Sequence, residues 1–336
     1  MKSKKRFISA AAALLATLAI VIVVGKDTDY EKTSYAMAAM TDIKLSGSGC
    51  EKTAEEINDR IVECENREIS RNIASSDVSK INSEKSCAVS EKTAGYIRQL
   101  KDFSVSCNGA VDITIGELTR LWNIGGDDFR VPDAQAIEEA LSGVGYENIA
   151  IEGNTVTIGD EQTLDLGCAG KGIACDEALG IIKSSGVKKA VVSVGGSVLL
   201  WSRNGKKEFT VGIRDPQKGA SDYCMTVRTG NTFVSTSGTY ERFSVDKNGK
   251  EYHHIISTET GYPVENDVLS VTVFCENGLL SDSLSSACLI LGYEQSEDLL
   301  NRYDACAVFV FKDNTVMTSS GFSYELNVKD DRYILK

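Results

Sequence analysis

The stretch Leu164–Gly196, LDLGCAGKGIACDEALGIIKSSGVKKAVVSVGGS, leaves this chain few ways to fold. A short apolar segment, Thr163–Leu166, reads as a strand and runs into Gly-Cys-Ala-Gly-Lys-Gly. Ala174, Ala178, Ile181 and Ile182 then recur at helical spacing on one face. Lys183 in the last turn and Gly186 just beyond make a C-terminal stop. Ala190–Val194 reads as a buried strand that ends at Gly195-Gly196. Strand, glycine turn, helix and strand make a βαβ-like unit whose turn opens on a helix N-terminus, placed at Gly172. Free amides and the helix dipole favour an anion such as phosphate there. Lys171 adds a full positive charge, and the glycines allow close approach. The turn matches neither GxxxxGK[ST] nor GxGxxG. Taken alone, it is better read as a tight turn with a solvated lysine.

Charge narrows the partners. The 336 residues carry a net charge of −12, and five of the positive charges lie within the first 26 residues. A chain so acidic lacks the basic face that a nucleic-acid backbone needs, although a small phosphate ligand needs only a local site. Three prolines against 29 glycines mean turns built with glycine and no proline-rich linker. The ten cysteines form no CxxC and no zinc spacing. Cys168, Cys175 and Cys288 sit in apolar settings, so most thiols are read as free. At the N-terminus, Lys2, Lys4, Lys5 and Arg6 precede an uncharged run, Phe7–Gly25. Residues 1–25 therefore read as a secretory signal or membrane anchor that leaves the bulk of the chain outside the cytoplasm. No small-residue cleavage site closes the run, which favours an uncleaved anchor. Residues 26–36 read as a polar tether and 37–336 as one folded domain.

Beyond the tether, Met37–Leu45 has strand character, and Glu51–Ile69 and Ser90–Phe103 have helical patterns, with a polar loop over Ser70–Asn82 between them. Asp133–Leu141 reads as a helix and Ile149–Ile158 as a hairpin. Strands are expected at Phe209–Arg214, Tyr223–Arg228, Phe233–Thr236, Phe243–Val245, Val268–Phe274 and Ala305–Phe311, and a helix at Ser281–Leu291. Helices gather in the first half and strands in the second, an α+β layout with helices packed on β-sheets. Three further features can carry chemistry. His253 and His254, the only histidines, are adjacent on a strand, so one faces inward. One such histidine could position a phosphate ester or move a proton, or simply make a hairpin-edge hydrogen bond. Asp282 and Ser286 share one helix face. Their hard oxygens suit Mg²⁺, and a first-turn aspartate that stabilises the helix dipole is the plainer reading. Thr236–Arg242 follows a strand and offers backbone donors and hydroxyls.

Taken together, DITIGELTRLW, LDLGCAGKGIACDEAL, VSVGGS, VGIRDP, VSTSGTYERF, HHIISTETGYPV and LSVTVFCENGLLSDSLSSACLILG resemble, in order, the ApbE family of FAD:protein FMN transferases. The resemblance runs from Met37 to the C-terminus. It implies an ApbE-like mixed-sheet α+β fold that binds FAD with Mg²⁺. The implied reaction cleaves the FAD pyrophosphate, transfers FMN through a phosphoester bond to a Ser or Thr of an acceptor flavoprotein, and releases AMP. An FAD-binding module, or an FAD pyrophosphatase without protein transfer, is the alternative. Carried over by position, Asp282 is the metal-binding aspartate and base, and Ser286 and the Gly170 carbonyl complete the metal ligands. His254 meets the pyrophosphate. Met37, Asp165, Lys171, Gly172, Asp176, Ser237 and Gly238 belong to the FAD site. The implied location is the extracytoplasmic face of a bacterial cell membrane. The chain departs from the family pattern at Met37-Ala38-Ala39 for Met-Gly-Thr, Asn72 for an aromatic, Gly170 for Ala and Ser257-Thr258-Glu259 for Asp-Pro-Arg. A weaker acceptor-like segment, Asp215–Ser221, would make the chain its own flavin carrier.

Overall fold

A computed structural model describes residues 29–205, 209–218 and 222–336. The predicted signal or anchor, residues 1–25, and Ser221 of the acceptor-like segment lie outside these. Among the described residues no helix is long and apolar enough to cross a membrane.

In chain order the elements are β1 (Tyr30–Ala36), β2 (Ala39–Gly47), α1 (Cys50–Glu63) with a π-helical continuation at Cys64–Ile69, α2 (Asp77–Glu84), β3 (Ser86–Ala88), α3 (Glu91–Ser106), α4 (Gly116–Trp122) and α5 (Ala134–Ser142). There follow β4 (Ala150–Glu152), β5 (Thr155–Thr157), α6 (Gly170–Lys183), β6 (Val187–Val194), β7 (Ser197–Ser202), β8 (Phe209–Arg214), β9 (Tyr223–Thr229) and β10 (Thr232–Gly238). The chain closes with β11 (Phe243–Val245), β12 (Glu251–His253), β13 (Val268–Cys275), α7 (Gly278–Arg302), β14 (Cys306–Phe311), β15 (Thr315–Thr318), β16 (Glu325–Val328) and β17 (Ile334–Leu335).

Nine strands form one sheet in the order β1-β2-β6-β7-β10-β13-β14-β15-β17. Its pairs are antiparallel except β15 with β17, so the sheet is mixed, as the family resemblance implied. Both faces are covered, and the central strands therefore read as nearly unbroken apolar runs. On β6, Ala190, Val192 and Val194 pack under α1 and α6. Val191 turns the other way, against Phe209, Val211 and Val227 of the small β16-β9-β8 sheet. β14 alternates likewise, with Ala307 and Phe309 under α7 and Val308 and Val310 on the far side. All ten cysteines are unpaired, and eight of them are buried.

Four expectations change. Tyr30–Ala36 is no tether: it pairs with β2 along its whole length, and its polar Glu31 and Thr33 lie on the exposed face of an edge strand. The loop read at Ser70–Asn82 contains α2, whose Ser76 hydroxyl caps Ser79 N–H and whose Val78 and Ile81 are buried. Polar residues outnumber apolar ones there, and a single apolar stripe is enough to dock a two-turn helix. Thr163–Leu166 makes only an isolated bridge, Thr163 to Ile115. Leu164 and Leu166 are buried, yet the backbone of Leu164 bonds to the side chain of Asn82 rather than to a neighbouring strand. Finally, α7 starts at Gly278 rather than Ser281, with Asn277 as its cap. It runs past Leu291 to Arg302 through a kink at Gly292, where φ is 76° and ψ is −180°.

Candidate active site

A cleft of about 610 Å³ lies where the β1–β2 turn, the π-helical turn, α4, the start of α6, the middle of α7 and the β11–β12 hairpin meet. Met37, Asp165, Gly170, Lys171, Ser237, His254 and Ser286 all line it. Asp282 lies one turn before Ser286 on α7, with its side chain buried and Oδ1 3.5 Å from Lys171 Nζ. The Asp282 charge holds the Lys171 ammonium above its usual range against the opposing effect of burial. The cation and the histidine, far apart in sequence, therefore share one hollow, and the acid, buried and not itself a lining residue, reaches it through Lys171.

Helices α6 and α7 start against each other, and glycines make that possible. A Cβ on Gly172 would fall 2.0 Å from the Gly278 carbonyl oxygen, and one on Gly278 would fall 2.4 Å from the Gly172 oxygen. Across this contact each helix lends the other a carboxylate. Asp282 Oδ2 accepts the Gly172 N–H at 3.0 Å. Asp176 accepts the N–H groups of Gly278 and Leu279 at 2.8 Å each. Both satisfy amides that a helix start leaves unpaired. Three assignments by resemblance are corrected here. Asp176 is not among the cleft-lining residues: it caps α7, and burial pushes its carboxyl up to about 6. Gly172 is a packing residue inside a helix that begins at Gly170, and its amide is held by Asp282 rather than left for phosphate. Gly238 is likewise a packing position, since a Cβ there would meet the Tyr240 ring at 2.6 Å.

The histidine pair divides as strand alternation requires. His253 Nε2 bonds the Val264 carbonyl at 2.8 Å. His254 faces the cleft and donates Nδ1–H to the Arg242 carbonyl at 3.1 Å, since a carbonyl can only accept. Its Nε2 is thus the nitrogen left to accept a hydrogen bond or a proton. Burial, followed by the charges of Arg242 and Lys171, pushes the imidazole down to about 3, so it is neutral. Ser237 Oγ lies 2.7 Å from Ser285 Oγ and 3.3 Å from Ser286 Oγ, a hydroxyl cluster that fixes the polar floor.

Several lining residues escaped the sequence reading. Asp165 is braced by Arg71 Nε at 3.3 Å and by the Thr119 hydroxyl at 2.8 Å. Glu241 is pushed up to about 7 by burial, with Lys171 and Arg214 pulling the other way. Glu65 accepts the Met37 N–H at 2.9 Å. Met37 and Ala38 form the two-residue β1–β2 turn with φ of 53° and 54°, the paired left-handed geometry of a type I′ turn. Ala38, where the family pattern has Gly, adopts it despite its Cβ, and the Glu65 contact from the π-helical turn anchors it. At Gly170, where the family pattern has Ala, an added Cβ would sit 3.2 Å from Ile69 Cδ1. The isoleucine fills the room of the missing methyl. Glu65, Arg71 and Ile69 carried no motif of their own. Their only signal is that they cluster at the end of the helix read at Glu51–Ile69 and just beyond it.

Known proteins resemble this chain in sequence and in fold. The model of the ApbE family matches residues 28–310. The FAD:protein FMN transferase of Treponema pallidum (strain Nichols) is 34% identical over 253 residues, covering 70% of this chain and 69% of that protein. The FAD:protein FMN transferase of Klebsiella pneumoniae (strain 342) is 30% identical over 249 residues, covering 73% of this chain and 77% of that protein. Among solved structures, the ApbE protein of Thermotoga maritima superposes with a TM-score of 0.78 at 30% identity, over 87% of this chain and 97% of that one. Flavin transferase ApbE from Vibrio cholerae gives 0.75 at 26% identity, again over 87% and 97%.

Proposed function

The chain belongs to the ApbE family, and on that footing we propose that it is an FAD:protein FMN transferase whose catalytic site is the cleft around Lys171, His254 and Asp282. The observation that carries this reading is the convergence of Lys171, His254, Ser237 and Ser286 on one hollow, with the buried Asp282 carboxylate 3.5 Å from Lys171 Nζ. In the reaction an acceptor Ser or Thr oxygen bonds to the FMN phosphorus of FAD. The bond from that phosphorus to the bridging oxygen breaks, AMP leaves with that oxygen, and the hydroxyl proton passes to a base of the enzyme.

Each residue has a part that follows from its setting. Lys171 supplies a cation next to the diphosphate, and Arg242 lines the same cleft. A bound diphosphate would offset the two charges that depress His254, so the histidine gains basicity as substrate arrives. Asp282 uses one oxygen to hold the start of α6 and keeps the other toward Lys171, from where it can take the hydroxyl proton. Among the described residues there is no cluster of three His, Cys, Asp or Glu able to hold a metal. The donors that are present, the Asp282 carboxylate, the Ser286 hydroxyl and the Gly170 carbonyl, are hard oxygens with a single charge, the kind of set Mg²⁺ accepts when phosphate and water supply the rest. When bound, Mg²⁺ would neutralise charge on the diphosphate.

The basic start and the uncharged run Phe7–Gly25 support placing the domain on the extracytoplasmic face of the membrane, anchored or exported. The function is tested by incubating the full chain with FAD, Mg²⁺ and an acceptor domain and measuring intact mass. The expected result is one FMN added to the acceptor and AMP in solution. AMP without an adduct would make the protein an FAD pyrophosphatase, and bound FAD with neither product would make it a flavin-binding module.

A further inference from the structure

The base of the β11–β12 hairpin borders the cleft through Arg242 and His254, and among the described residues one edge of β11 is unpaired. On its inner face Gly125 N–H donates to Ser244 Oγ at 2.9 Å, and the Tyr252 ring lies 5.5 Å from Trp122 and 6.0 Å from Phe129. Alternation sends Phe243 and Val245 to the outer face, where they are 45% and 48% exposed. Among the described residues β11 pairs with β12 and with no other strand. His254 N–H bonds the Arg242 carbonyl, and Asp246 N–H bonds the Lys250 carbonyl. Arg242, Ser244 and Asp246 therefore occupy the hydrogen-bonded positions of the ladder. Phe243 and Val245 turn their own N–H and C=O groups away from β12. The result is a short open strand edge beneath two exposed apolar side chains. Glu241 and Arg242 at its end, and His254 across from it, line the cleft.

We propose that this edge is where the acceptor protein docks, its modified segment adding as a strand along β11 so that the Ser or Thr hydroxyl enters the cleft beside His254. The inference rests on the transferase reading, which requires a polypeptide to reach the site at its rim. A strand edge suits such a partner because it binds backbone, whatever side chains flank the target hydroxyl. Phe243 and Val245 add apolar contact at the same place. Free edges invite pairing unless they are guarded, and this one leads into the reaction centre.

The test is Val245→Pro. The Val245 N–H points outward, so proline removes a rung offered to the partner while leaving the bonds between β11 and β12 in place. With FAD saturating and a purified acceptor domain varied, KM for the acceptor should rise about tenfold, the equivalent of one backbone hydrogen bond. FAD affinity, read from flavin fluorescence, should stay at the wild-type value. Phe243→Ser, which spares the backbone, should raise the same KM less and serves if the proline variant fails to fold. Wild-type KM for the acceptor in either folded variant overturns the docking site and leaves the transferase reading intact. A wild-type protein that transfers no FMN to any acceptor overturns that reading, and the docking site with it.

Discussion

Helices α6 and α7 begin side by side, and each gives an aspartate to the first turn of the other, yet the two aspartates end in different trades. Asp176 directs both oxygens to the amides of Gly278 and Leu279. Nothing of its carboxylate is left over, and burial pushes its pKa up. Asp282 gives one oxygen to Gly172 and keeps the other within 3.5 Å of Lys171. Residue type is the same, and what separates the structural cap from the proposed base is one oxygen left facing a cation. Chemistry at this junction borrows rigidity from its twin: the cap made by Asp176 fixes the start of the helix that carries Asp282.

That contrast can be broken at its pivot. Gly172→Ala should do most damage, because the new methyl would lie 2.0 Å from a backbone oxygen that cannot swing aside. A loss of about 3 kcal/mol or more is expected on overpacking grounds, seen as a lower denaturant midpoint with FAD binding and transfer failing together. A wild-type midpoint would show that the glycine contact is dispensable. Asp282→Asn separates the two uses of that residue. Its amide oxygen can still accept the Gly172 N–H, so the midpoint should hold, while loss of the base and the charge should lower the transfer rate about 10²- to 10⁴-fold. Unchanged turnover would remove Asp282 from the chemistry.

Asp176→Asn should give the opposite pattern. An amide has one acceptor oxygen where the carboxylate has two, so one buried N–H loses its partner at a cost of about 1–3 kcal/mol, with turnover per folded site near that of the wild type. A drop in turnover as large as that of Asp282→Asn would erase the distinction. The smallest effect is on pH. The folded value of about 6 for Asp176 lies above the ordinary carboxylate range, so the folded chain holds that proton more tightly than the unfolded one. This part of the stability is complete below about pH 4 and is lost as pH rises through the folded value. Denaturation at pH 5 and pH 7.5 should show wild type losing ground that Asp176→Asn keeps. Equal slopes in the two proteins would place the Asp176 titration elsewhere.

Much of the scaffold was legible because its signals are local. The helices read from Ser90 and from Asp133 begin where α3 and α5 do, and in the structure those two residues cap them. The paired faces of β6 and β14 showed as apolar runs. The site was legible only in part. Lys171, His254 and Ser286 stood out as motif residues and do meet in the cleft. The capping role of Asp176, which the resemblance put in the FAD site, was not legible, because it depends on which amides the residue reaches across a helix crossing and no spacing along one chain encodes that. Arg71 and Thr119, which brace Asp165, act at a distance of more than 40 positions. Tyr30–Ala36 looked like a tether because an edge strand with one wet face has the composition of a linker.

The contact between Gly170 and Ile69 reaches beyond this one chain. The atom absent from the first position is furnished by the second, so the two behave as halves of a single part divided between α6 and the π-helical turn. Exchanging Gly170 for alanine alone forces the isoleucine tip outward, and trimming Ile69 alone leaves a hollow beside the phosphate turn. Performed together, Gly170→Ala with Ile69→Val restores the fit. A survey that varied one site at a time would miss that the two positions are coupled and fit best when they move in step.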